Sequence, residues 1–215
     1  MRSPATCPPR ARRRLLGVLA VSATLFAVST AVAATGPPAA WELALFRWAN
    51  QLPGWVYVLV WPFMQYGVFL TIPVATALAW WRRRRRFAVL LALSGVGIYL
   101  AARVVKLLVE RGRPGAFVEV LNRREEFAPG SLGYTSGHAA VAATIATLSV
   151  MHLRRPWREL SVALVLVVGF GRMYVGAHLP LDLVGGAAMG VSAAAGALLV
   201  SALVPEPSPS RHRRP

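Results

Sequence analysis

"RRRRRFAVLLALSGVGIYLAARVVKLLVERGRP", residues 82–114, decides the architecture. Five consecutive arginines, Arg82 to Arg86, precede an apolar run over 87–109 that closes on Lys106, Arg113 and Pro114. About 20 apolar residues in helical form cross the hydrocarbon core of a bilayer. An arginine cluster at one end of such a run marks the cytoplasmic side. Working outward, further apolar runs occupy 15–35, 55–81, 138–153, 160–178 and 182–204. The expected fold is all-α, a polytopic membrane helix bundle of about six transmembrane helices.

Composition agrees. The 215 residues are 56% hydrophobic and 15% charged, with a mean hydropathy of +0.52, whereas a soluble domain carries about 25% charged residues. The formal charge of +16 raises the possibility of a nucleic-acid surface. The basic residues, however, cluster at the ends of apolar runs and lack interleaved aromatics, so topology explains them and no nucleic-acid partner is expected. A single cysteine, Cys7, excludes an internal disulfide.

Four basic stretches set the orientation: residues 2–14, Arg82 to Arg86, the group Arg154, Arg155 and Arg158, and the tail with Arg211, Arg213 and Arg214. Together they hold sixteen of the 24 basic residues, and six spans put all four on one side. That side is read as cytoplasmic, with both termini inside and residues 110–137 outside. The first run is read as a span. Its arginine-rich start and "AVA" at 31–33 also fit a cleaved signal, and either way residue 36 lies outside. Between the first two runs, "WELALFRWANQLPGW", 41–55, has the spaced aromatics and leucines of an interfacial helix. The expected division is a basic leader at 1–14, the first span with the interfacial helix at 15–54, a membrane domain at 55–204, and a disordered tail at 205–215.

Polar residues gather at the outer ends of the later runs. In "KLLVERGRP", 106–114, Lys106 and Arg113 are seven residues apart, so a helix continuing that far would carry both on one face. Snorkelling of Lys106 and Arg103 to the interface is the plainer alternative. In "YTSGHAA", 134–140, Ser136 suits a helix N-cap. Gly137 permits close approach to the backbone, and His138 stands in the first turn, where free N–H groups attract anions. An ordinary serine cap beside an interfacial histidine is the alternative there. In "GRMYVGAHLPLD", 171–182, His178 and Asp182 have i,i+4 spacing. Pro180 between them leaves open whether a helix or a bent turn joins the two. A carboxylate on one imidazole nitrogen fixes the tautomer and leaves the other nitrogen free to attack. Ionisable groups at membrane depth are costly and generally functional, and Arg172 adds a third to this stretch.

Three cations, a helix start and two histidines at one membrane face match a phosphate group, which carries nearly two negative charges and pairs well with arginine forks. No cysteine pair is present, and the outward glutamates Glu110, Glu119, Glu125 and Glu126 are scattered, so no metal or other cofactor is expected.

These blocks resemble the type 2 phosphatidic acid phosphatase (PAP2) superfamily, the lipid phosphate phosphatases, whose pattern is K-x6-R-P, P-S-G-H and S-R-x5-H-x3-D. Here the first is complete. The second has Thr135 in place of proline, and the third has Gly171 in place of serine. The resemblance covers roughly 55–204. It implies that His178 attacks phosphorus, that Asp182 orients it, and that His138 protonates the leaving oxygen and then activates water. Lys106, Arg113, Arg172, Ser136 and Gly137 would hold the phosphoryl oxygens. Thr135 is expected to shift phosphate placement slightly, and Gly171 to leave Arg172 available. The expected activity is metal-independent hydrolysis of a lipid phosphomonoester or diphosphate on the extracytoplasmic side, with a polyprenyl diphosphate favoured over phosphatidate. A lipid-phosphate binding or transport protein with the same anion site is the alternative. A vanadate-dependent haloperoxidase shares the blocks but is soluble and larger. Arg123 and Arg124, within 115–133, are candidates for choosing headgroups.

Overall fold

The computed structural model describes residues 9–128, 130–150 and 153–202. They form eight α-helices: α1 (Pro9–Ala34), α2 (Ala40–Asn50), α3 (Val56–Met64), α4 (Thr71–Trp81), α5 (Arg85–Val109), α6 (Gly137–Val150), α7 (Arg155–Tyr174) and α8 (Pro180–Ser201). No strand occurs among the described residues, only an antiparallel bridge between Gly112 and Leu132. The expected tail, 205–215, lies outside the described residues, as do residues 1–8 of the leader. The remaining leader arginines lie within the first turns of α1.

Helices α1, α5 and α8 are each long and apolar enough to span a bilayer. The expected second span is two helices, α3 and α4, bent by 64° across a short break, which counts as a fourth span if the pair acts as one. Pro62 lies inside α3, and the break at Gln65–Gly67 is a 3-10 turn. The bend follows from packing as well as from proline. A Cβ on Gly67 would come within 2.7 Å of the His138 carbonyl oxygen, so the chain here runs directly against the start of α6. Helix α6, with 14 residues, is only about 21 Å long. Helix α7 begins at Arg155 rather than 160 and stops at Tyr174 rather than 178, and its charged ends lower its apolar character. The all-α membrane bundle is as expected, but the count of six spans is only approximate: three helices, or four with the bent pair, have the length and apolar character of a span, while α6 is short and α7 more polar.

α6 and α8 form the centre. Their shared face is built from small residues: Ala139, Ala140 and Ala143 on one side, Gly186, Gly190 and Ala194 on the other. Small side chains let helix backbones approach closely in a bilayer, and a Cβ on Gly190 would sit 3.1 Å from the Ala140 carbonyl carbon. α1 lies along the outside of α8. Ser192 Oγ donates to Ser22 Oγ at 2.8 Å, and Ser29 and Thr30 each bond the Tyr134 hydroxyl at 2.8 Å. Helix α2 does have an exposed face of Trp41, Leu45 and Trp48 suited to an interface. Its other face, with Glu42, Phe46 and Ala49, is buried against α7 and α8.

Candidate active site

Four helix ends meet at one end of the bundle: the end of α5, the start of α6, the end of α7 and the start of α8. α5 stops at Val109 because Glu110 turns left-handed, with φ 52°, and donates its N–H to Lys106 O. Arg113 is therefore not on the same helix as Lys106, contrary to the continuous-helix expectation. The chain leaves α5, pairs Gly112 with Leu132, and brings Arg113 back toward Lys106 through this turn. α6 opens as expected. Ser136 is its N-cap, its Oγ accepting the Ala139 N–H at 3.4 Å. A Cβ on Gly137 would meet nothing within 4 Å, which leaves room for a ligand beside the first N–H groups.

α7 ends in a Schellman turn. The Ala177 N–H donates to Arg172 O, the Gly176 N–H donates to Met173 O, and Gly176 takes φ +82°, a value that favours glycine. That turn presents His178 just before α8. Pro180 occupies the first turn of α8, where its missing N–H costs nothing. Asp182, two residues farther into that turn, accepts the Leu179 N–H on Oδ2 at 2.9 Å. A bent turn, not a continuous helix, thus joins His178 to Asp182. The Asp182 carbonyl oxygen also accepts the Ser136 N–H at 3.0 Å and the Thr135 hydroxyl at 3.2 Å. The threonine standing in place of proline therefore helps tie the start of α6 to the start of α8.

Six of the eight residues singled out from sequence line a single cavity of about 590 Å³: Lys106, Arg113, Gly137, His138, Arg172 and His178. The other two, Ser136 and Asp182, stand behind this wall and are fully buried. Asp182 Oδ2 lies 3.4 Å from His178 Nδ1, a long contact without hydrogen-bond alignment. The His178 ring is buried beside Lys106, Arg172 and Arg113. Loss of water first, and those charges second, hold its pKa well below the ordinary imidazole value, so the ring is neutral. Burial, and then the Arg172 charge, bring Arg113 down to about 10, which leaves it protonated at neutral pH.

Each of the three cations is held in place. Lys106 Nζ donates to Leu132 O and Gly133 O at 3.1 and 2.8 Å. Arg113 donates to Ser131 Oγ at 2.7 Å and Ala177 O at 2.9 Å, over the face of Phe127. Arg172 pairs with Glu125 at 2.6 Å. Glu125 is therefore not a scattered outward glutamate: it sits on the rim of the cavity. Arg124 is no headgroup selector either. It donates to the carbonyls of Asn50, Leu52 and Tyr174 and stacks on the Tyr174 ring, stapling its loop to α2 and α7.

Two residues escaped the sequence reading. Arg111 donates to Asp182 Oδ1 at 3.2 Å and to Glu42 Oε1 at 2.7 Å, and Glu42 Oε2 accepts the Leu181 N–H at 3.2 Å. All three ionised side chains are buried. Glu42, Arg111 and Asp182 thus form one line of alternating charge that runs from α2 to the neutral His178 at the cavity. The only signal in the sequence was the burial cost itself: an acid and an arginine in so apolar a chain must find partners.

The arrangement defines a helical membrane protein with a built anion pocket, in which two imidazoles face a cationic cradle. Gly171 shows how tightly the frame is packed, since a Cβ there would lie 2.5 Å from Met64 and 2.7 Å from Val60. The chain belongs to the PAP2 superfamily, whose family model matches residues 85–204. It is 30% identical over 127 residues to an undecaprenyl-diphosphatase of Sulfolobus acidocaldarius, covering 59% of this chain and 61% of that protein. The chain therefore spans about three fifths of that relative. The crystal structure of Aquifex aeolicus LpxE aligns with a TM-score of 0.68 at 24% identity, over 74% of this chain and 96% of that one. A transmembrane PAP2-type phosphatidylglycerolphosphate phosphatase from Bacillus subtilis aligns with a TM-score of 0.70 at 22% identity, over 85% and 95%. The fold is that of these membrane proteins.

Proposed function

We propose that this protein is a membrane phosphatase that removes the terminal phosphate of a lipid phosphomonoester or diphosphate through a phosphohistidine. The observation that carries the reading is that His178, backed by Asp182, shares one cavity with Lys106, Arg113 and Arg172. A neutral imidazole is a nucleophile, and a cationic cradle binds what it attacks.

In the first step an imidazole nitrogen of His178 bonds to phosphorus while the bond from phosphorus to the lipid oxygen breaks. His138, holding a proton while the phosphate's charge lies beside it, gives that proton to the departing oxygen. The positive charge arising on His178 draws its Nδ1–H toward Asp182, and the 3.4 Å contact shortens. In the second step water attacks phosphorus, His138 takes its proton, and the P–N bond breaks to release phosphate. Lys106, Arg113 and Arg172 stabilise the equatorial oxygens in both steps.

The arginines at the starts of α1, α5 and α7 lie at the opposite helix ends from the cavity. That supports cytoplasmic termini and an extracytoplasmic site, and the side-chain bonds from α1 to Ser192 of α8 and to Tyr134 support its retention as a span. The undecaprenyl-diphosphatase relative favours a polyprenyl diphosphate as substrate.

Purified protein in detergent, with chelator present, is expected to release phosphate from a panel of polyprenyl diphosphates and phosphatidate. His178→Ala is expected to abolish release, and His138→Ala to slow it by about 10²- to 10⁴-fold. Wild-type rates in the His178→Ala protein would overturn the nucleophile assignment. Lipid binding without any phosphate release would turn the reading into that of a carrier.

A further inference from the structure

A fourth cation lines the cavity, and the mechanism above leaves it unused. Arg103 lies one turn before Lys106 on α5, with its side chain exposed at the cavity wall. Lys106, Arg113 and Arg172 are each bonded to protein acceptors. Among the described residues, no ion pair or hydrogen bond involves the Arg103 side chain. An arginine within a spanning helix and without a carboxylate is costly unless something else supplies the negative charge.

The residues of α5 on this wall fall in a definite order. Tyr99 and Ala102 come first, then Arg103, then Lys106, on one face of the helix. Three residues advance the helix by about 4.5 Å, so Arg103 lines the cavity about one turn away from Lys106. Apart from Gln65, the uncharged side chains lining the cavity near α3 and α5 are largely apolar, with Trp61, Met64, Val68, Tyr99 and Ala102. A ligand that fits this order has a terminal phosphoryl group among Lys106, Arg113 and Arg172, a second negative group one turn deeper, and then a hydrocarbon tail.

Building on the phosphatase reading, we propose that Arg103 forms a subsite for the lipid-side phosphate of a lipid diphosphate. Attack of His178 on the terminal phosphorus breaks its bond to the bridging oxygen. The electron pair goes to that oxygen, which leaves as part of a lipid monophosphate. Arg103 faces the group on which this negative charge grows, so it acts in binding and in the transition state. A lipid monophosphate has an alcohol oxygen as its leaving group and places no anion at this position. Arg103 therefore sets a preference for diphosphates.

The experiment compares farnesyl diphosphate with farnesyl monophosphate, which have the same tail, using wild type, Arg103→Gln and Arg103→Lys in detergent. The ratio of kcat/KM for diphosphate over monophosphate is expected to fall about 10- to 100-fold in Arg103→Gln, the scale of a lost charge-assisted hydrogen bond. Arg103→Lys is expected to restore part of the ratio. An unchanged ratio in Arg103→Gln overturns the subsite and makes Arg103 an interfacial snorkel. Wild type that releases phosphate from neither compound overturns the phosphatase reading, and the subsite with it.

Discussion

Gly186→Ala tests whether the helix packing holds the two histidines in place. Gly186 lies one turn after Asp182 on α8 and faces the N-cap of α6. A methyl group there would stand 3.2 Å from both the Ser136 carbonyl carbon and Ala139 Cβ, and closer still to the Ser136 oxygen. Ordinary contact begins at 3.4 Å, and the obstruction is backbone that no rotamer change can clear. The ends of α6 and α8 must therefore part by about 1 Å, and overpacking of this kind costs about 1–3 kcal/mol. Replacing glycine by alanine within a helix returns up to about 1 kcal/mol through backbone entropy. The net loss of stability is thus small, about 0–2 kcal/mol.

Activity responds far more steeply. Ser136 is followed immediately by Gly137 and His138 on the cavity wall, while Asp182 and His178 belong to the α8 side. The wedge separates the proposed acid from the proposed nucleophile. A misplacement of about 1 Å costs on the order of 10²-fold in rate, equivalent to about 2.7 kcal/mol of barrier. The assay is kcat for phosphate release beside thermal unfolding in detergent. Gly196→Ala on the same helix, where a Cβ would meet nothing within 4 Å, serves as the control and is expected to retain wild-type kcat. A Gly186→Ala protein with wild-type kcat and an unchanged melting temperature would show that α6 and α8 do not set the geometry.

Three further outcomes are expected. Glu42→Gln leaves Arg111 buried with Asp182 as its one remaining ion-pair partner among the described residues and should cost about 3–5 kcal/mol in thermal unfolding; a loss below about 1 kcal/mol would remove Glu42 from the network. His178 is neutral when folded because its pKa is depressed, so the unfolded chain takes up a proton near pH 6.5 while the folded one does not. Stability should be highest above that pH and fall below it by up to about 1.4 kcal/mol per unit. The fall should be shallower in His178→Gln, and parallel melting-temperature profiles for the two proteins would refute it. Glu125→Gln frees Arg172 from its 2.6 Å pair and should tighten competitive inhibition by inorganic phosphate several-fold; an unchanged inhibition constant would mean that Glu125 and phosphate do not compete.

The parts of the fold that the sequence displayed are those governed by a single local rule. Apolar length revealed α1, α5 and α8, while the Lys106–Arg113 and His178–Asp182 spacings, the helix-start residues before His138 and the PAP2-like blocks brought the site under suspicion. The bend between α3 and α4 was hidden because Gly67 is unremarkable until α6 lies against it. The route from Lys106 to Arg113 was misread for a similar reason. Seven residues suit a helix, and nothing local announces that Glu110 will turn left-handed to let the chain pair with Leu132. Glu42 and Arg111 are 69 residues apart. No periodicity connects them, and only the cost of burying charge required that each have a partner.

That cost also bears on specificity. Lys106, Arg103, Arg111, Arg113 and Arg172 surround or back the cavity, against Glu42, Glu125 and Asp182. Five formal positive charges meet three negative ones, so the protein's own groups leave a surplus of about two, close to the charge of one phosphate group. A neutral lipid leaves that surplus uncompensated in a poorly solvated place, whereas a phosphorylated lipid removes it. Arg111 does not touch the cavity, yet without it Glu42 and Asp182 would cancel most of the cradle's charge. In the proposed reading, the buried pair of Glu42 on α2 and Arg111 just after α5 bears on substrate choice as well as on the fold, because it sets how much positive charge remains for the ligand.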